Sequence, residues 1–96
     1  MIAEIQCLPE PVGVPGQDYR NVDAAIAVIA ASGLDHEVGA LGTTLQGQPD
    51  QVWDVLRRAH EATLQAGART VVSVIKVVSA IDPDAPGMAD LVAAHR

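Results

Sequence analysis

The chain moves between two hydrophobic rhythms. In "IAEIQCL" (residues 2–8), Ala3, Ile5 and Cys7 share one parity and Glu4, Gln6 and Leu8 the other. That is the period-two pattern of a strand with one buried face. Pro9 and Pro11 end it, and "PEPVGVPGQD" is a loop built of turn residues. From residue 20 to 32 the rhythm becomes helical, with Val22, Ala25, Ile26 and Ile29 on one side. Asn21 or Asp18 is the candidate cap, and Ser32-Gly33 is the stop. Residues 35–41, "DHEVGAL", resume a strand; Gly42 marks a turn, and residues 43–47 return as the hairpin partner. Pro49 and Asp50 open a second helix that runs to Ala66, since Pro suits the first turn and Asp the positive end of the dipole. Its apolar stripe is Val52, Val55, Leu56, Ala59 and Ala62/Thr63, and Gly67 closes it. "RTVVSVIKVVSA" (69–80) is β-branched and apolar, a strand; "DPDAPG" is a turn, and "MADLVAAHR" a short C-terminal helix.

The order β-α-β-β-α-β predicts an α+β chain with the ferredoxin-like arrangement over residues 1–96. An antiparallel four-stranded sheet of order 4-1-3-2 then carries both long helices on one face and leaves the other open. Parity assigns the side chains, because one step along a strand changes the face. Leu45 belongs under the helices and takes Thr43 with it, which sends Thr44 and Gln46 outward. Glu4 and Gln6 on the first strand, Glu37 on the second and Lys76 on the last share that outward parity. Val72, Val74, Val78, Leu8 and Leu41 frame them. A half-apolar face with a polar centre suits a surface packed on another sheet around a polar pocket. Lys76 and Glu4 can equally form a simple cross-strand ion pair, worth under about 1 kcal/mol if exposed.

Composition narrows the function. The chain has 96 residues, enough for one domain with a modest core. It is 49% apolar yet lacks Phe and has one Trp and one Tyr, so the core is Val, Ile, Leu and Ala, and self-association is a natural way to bury more surface. The net charge is −6, with no cluster of Lys or Arg, which argues against nucleic acid and against anionic membranes as partners. Cys7 is alone, so no internal disulfide is expected, and its apolar run reads as a buried, unreactive thiol. The N-terminal segment has no signal-peptide pattern, and the expected compartment is the cytoplasm. His36, His60 and His95 do not have metal-ligand spacing, no phosphate loop is present, and no cofactor is required. His60-Glu61 reads as a helix edge, Trp53 as a helix–sheet margin, and Tyr19 as a residue that can close over the sheet end.

Three stretches, "MIAEIQCLP", "SGLDHEVGALGTTLQG" and "AHEATLQAGARTVVSVIKV", occur in this order and resemble the small thiamine-binding proteins of the YkoF-like, UPF0045 type over about residues 1–78. The pattern touches Glu4, Gly42, Thr43, Gly47, His60 and Lys76. The resemblance implies a ferredoxin-like fold, assembly into homodimers or homotetramers through the sheets, and binding of thiamine or its hydroxymethylpyrimidine part without established catalysis. The first loop, "VGVPGQDYRN", departs from the Ser/Thr-rich stretch common in relatives. Candidate ligand residues are therefore Glu4, Gln6, Glu37, Thr43, Thr44 and Lys76. An enzyme of the dimeric α+β barrel kind, with Glu4, Glu37 or Lys76 as acid or base, is the alternative. A purely structural oligomerisation domain is the third.

Overall fold

The computed structural model describes residues 1–96. The elements are β1 (Ile2–Glu10), α1 (Arg20–Ala31), β2 (Asp35–Val38), β3 (Thr43–Gln46), α2 (Pro49–Ala66), β4 (Thr70–Val78) and α3 (Met88–Ala93). The sheet order is β2-β3-β1-β4, the expected 4-1-3-2 read from the other edge, with every neighbour antiparallel. The α+β, ferredoxin-like reading stands.

The core lies where parity put it. Ala3 and Ile5 of β1 and Leu45 of β3 meet Ala25 and Ile29 of α1 and Val52, Val55, Leu56 and Ala59 of α2. Leu45 and Leu56 are almost wholly enclosed, each stabilising by roughly 1.5–3 kcal/mol relative to exposure. Both long helices end as their small-residue–Gly stops indicate: Gly33 has φ +80° and Gly67 φ +133°, left-handed values open to glycine. Neither Asn21 nor Asp18 caps α1, whose N-cap is Tyr19 with no side-chain bond. Asn21 is instead buried; its Nδ2 donates to the Pro11 carbonyl at 2.8 Å and fastens the first loop to the helix.

The strands differ in length from the sequence pattern, and the difference shapes the site. β1 continues through Pro9 to Glu10, paired with β4 along its full length. It pairs with β3 only from Ile2 to Ile5, so beyond Ile5 that side of β1 is a free edge, where a residue without an N–H is tolerated. β2 stops at Val38 rather than residue 41, because Gly39 N–H donates to the Gly42 carbonyl at 2.8 Å and turns the chain. Leu41 therefore sits in the hairpin loop, largely exposed, not in a strand. The second sheet face is not fully open: α3 lies on it over β3, with Met88 N–H donating to Gln46 Oε1 at 2.8 Å.

Candidate functional site

Register brings four of the expected residues into one line. Glu37 pairs with Thr44, Thr44 with Glu4, and Glu4 with Lys76, so the row crosses all four strands on the face opposite α1 and α2. Glu37, Thr44 and Glu4 are half-buried, while the Lys76 side chain is 77% exposed. Lys76 Nζ lies 3.3 Å from Glu4 Oε1, the cross-strand ion pair. Thr43 points the other way and is buried under the helices, as Leu45 dictated; Thr44 is the threonine on the sheet's second face.

α3 turns this row into a groove. Met88, Val92 and Arg96 stand over Glu4, Glu37 and Thr44, and the space between them is about 510 Å³. The Arg96 guanidinium contacts the Glu37 carboxylate. Gln46, on the same face, is committed elsewhere: besides receiving the Met88 N–H, its Nε2 donates to Asp35 Oδ2 at 3.2 Å. Lys76 lies outside the groove lining.

Gln6 and Thr43 contribute to a different space. Because β3 ends opposite Ile5, the free stretch of β1, the 39–42 loop and α1 enclose a mostly apolar cavity of about 260 Å³. Ile26 and Val22 of α1 form its floor, Tyr19 stands at its margin, and no carboxylate, lysine or histidine lines it. Cavity and groove share one wall, residues 39–42.

A third polar set sits between α2 and β4. His60 Nδ1 is 2.6 Å from Ser73 Oγ, which lies 3.5 Å from Cys7 Sγ. Burial pushes the Cys7 thiol above its usual value of 9.0, with the Ser73 hydrogen bond opposing the shift, so the group is held as an unreactive thiol near neutral pH. Trp53 is half-exposed beside Ile75 on this helix–sheet margin, where its place on the helix put it. No group of three or more His, Cys, Asp or Glu side chains is placed to hold a metal ion, and no helix is long and apolar enough to cross a membrane.

The profile of the family described as thiamine-binding protein matches residues 3–96. The chain belongs to the thiamine-binding protein family. Among curated members of the UPF0045 group, it is 32% identical over 59 residues to a protein of Clostridium perfringens, covering 62% of each chain. It is 34% identical over 73 residues to a Synechocystis protein, covering 76% of this chain and 59% of that one. The matches thus span under two thirds of these relatives' own length. Solved structures agree in fold. A DUF77 domain of Bacillus cereus superposes with TM-score 0.82 at 33% identity, covering 99% of this chain and 88% of that one. A hypothetical protein of Methanocaldococcus gives 0.79 at 26% identity, covering 97% and 92%.

Within this thiamine-binding family framework, two features escape the sequence pattern. The apolar cavity exists because strand lengths are unequal, and a pairing that stops at Ile5 leaves no mark in the hydrophobic alternation of β1. Arg96 joins the groove through the placement of α3, a helix whose polar and apolar residues fit either a free or a docked segment. The signal that pointed to the row itself was parity anchored on Leu45.

Proposed function

We propose that the chain is a small-molecule binding protein that takes thiamine or its hydroxymethylpyrimidine moiety in the groove on the second sheet face. The observation that carries this reading is the cross-strand row, in which two half-buried carboxylates flank one hydroxyl beneath the apolar side chains of Met88 and Val92. An aminopyrimidine presents N–H donors and ring acceptors, and a thiazolium presents a cation. Glu4 and Glu37 accept from the amino group or neutralise the cation, and Thr44 donates to a ring nitrogen. Lys76 orients Glu4 through their ion pair. Gln6 and Thr43 serve the adjoining cavity, whose size suits one small ring. Membership of a thiamine-binding family supports the ligand class. Nothing in the arrangement positively indicates catalysis. The role this implies is that of a cytoplasmic carrier or sensor, with the whole chain acting as one binding unit. It associates with further copies through the exposed apolar strip of Leu8, Val72, Val74 and Val78.

Calorimetric titration with thiamine and hydroxymethylpyrimidine tests the reading. Saturable heat is expected, with Glu4→Gln weakening thiamine about tenfold, the loss of one charge-assisted hydrogen bond in a partly open site. No heat and no thermal shift at millimolar ligand would sink it.

A further inference from the structure

On the reading that the groove takes a cationic ligand, we infer that Arg96 is the groove's own occupant: its guanidinium engages the Glu37 carboxylate while the groove is empty, and a ligand cation binds by displacing it. Three observations lead here. First, the groove neutralises itself. The chain has only 6 Lys and Arg against 12 Asp and Glu, yet each groove carboxylate has its own cation, Lys76 on Glu4 and Arg96 on Glu37. With Arg96 in place the groove presents no net charge; with Arg96 gone it presents an unpaired carboxylate beside Thr44.

Second, the contact is made to be broken. The Arg96 side chain is 62% exposed and that of Glu37 37%, so water competes with the pair and little holds it. The segment that delivers Arg96 is equally light. α3 has six residues and none is buried, too short to persist by intrinsic helicity. The side-chain fastenings that hold it to the sheet are Gln46 on the Met88 N–H at its start and Glu37 on Arg96 beyond its end.

Third, a guanidinium is a planar, delocalised cation rimmed by N–H donors. It offers a carboxylate together the two features that thiamine divides between its rings, a delocalised cation and N–H donors. The ligand class follows: a small organic monocation built on flat rings, its charge or its N–H donors competing with Arg96 for one carboxylate. Occupation by the protein's own side chain lowers the apparent affinity by the fraction of molecules in which Glu37 is free.

The test is calorimetric titration of the full chain and its Arg96→Gln, Glu37→Gln and double variants with thiamine and thiamine monophosphate at low ionic strength. Arg96→Gln is expected to tighten thiamine about two- to fivefold, the scale of an exposed ion pair. In the Glu37→Gln background the same change brings no gain, because the competitor then has nothing to hold. Unchanged or weaker thiamine binding by Arg96→Gln overturns the inference while leaving the binding reading intact. An equal gain in both backgrounds also overturns it. So does selective loss of thiamine monophosphate affinity, which makes Arg96 a phosphate ligand. Absence of binding to every chain overturns the binding reading itself and this inference with it.

Discussion

A side chain at position 42 would begin 3.0 Å from the Ile5 carbonyl oxygen and 3.3 Å from Glu4 Cγ. Gly42 is therefore needed for room rather than for a left-handed backbone; the positive-φ glycines are Gly16, Gly33 and Gly67. The loop it belongs to can press against β1 only because nothing projects there. Gly42→Ala is expected to lower stability by about 1–3 kcal/mol and to displace Glu4, measured by urea unfolding and by loss of thiamine affinity. Gly47→Ala is the control. Its added carbon meets the tip of Leu34 at 2.9 Å, a flexible side-chain end that can swing aside, so its cost falls at the low end of that range. Glycines that share a hairpin sequence thus differ in what they protect: one the candidate site, the other a packing contact.

Unequal ladders divide the sheet into a firm half and a loose half. β1 and β4 pair from Ile2↔Val78 to Glu10↔Thr70, whereas the β2–β3 hairpin is joined to β1 only between Ile2 and Ile5. α3 adds little to the hairpin, since none of its residues is fully buried and only Met88 and Val92 are half-covered. Amide exchange should therefore show the central part of β1, which has Leu45 and the α2 stripe behind it, protected to the level of global unfolding. Amides of β2 and α3 should exchange earlier and together; equal protection in β2 and in the centre of β1 would contradict this division. The same elements mark what the sequence could reveal. Alternation in β1, β-branched density in β4 and the stripe of α2 specify the core and the face of every strand, because each is a local pattern with one period. The row Glu37–Thr44–Glu4–Lys76 was legible for that reason: parity supplies faces, and a known strand order supplies neighbours. Ladder lengths were not legible. Whether β2 ends at Val38 or residue 41 depends on the Gly39–Gly42 turn, a contact between backbones. The docking of α3 depends on a Gln46 oxygen and on Glu37, both distant in sequence.

At the scale of the molecule, the two sheet faces are buried to different degrees. α1 and α2 cover one; on the other, α3 shields the β3 side, and Leu8, Val72, Val74 and Val78 remain in water. β4 is also an edge strand, its outer backbone groups unpaired, a template for contact with another chain. Val74 is 47% exposed, so a charge there disturbs the folded monomer little but opposes any apolar partner. Val74→Glu is expected to shift sedimentation from an associated species to the monomer without a large change in thermal stability. If the unsubstituted chain sediments as a monomer at high concentration, the apolar strip is not a self-contact.

The pairing of β1 with β4 also sets a schedule for synthesis. Ile2 can complete its longer ladder only after Val78 has been made, and Glu10 only after Thr70. While the ribosome builds α1, the hairpin and α2, the central strand of the future sheet has one short neighbour and a bare side. Contacts so distant in sequence form late and slowly. A nascent chain halted after α2 would hold most of its core residues and lack the strand that closes them in, which makes that stage the one where a chaperone has most to grip.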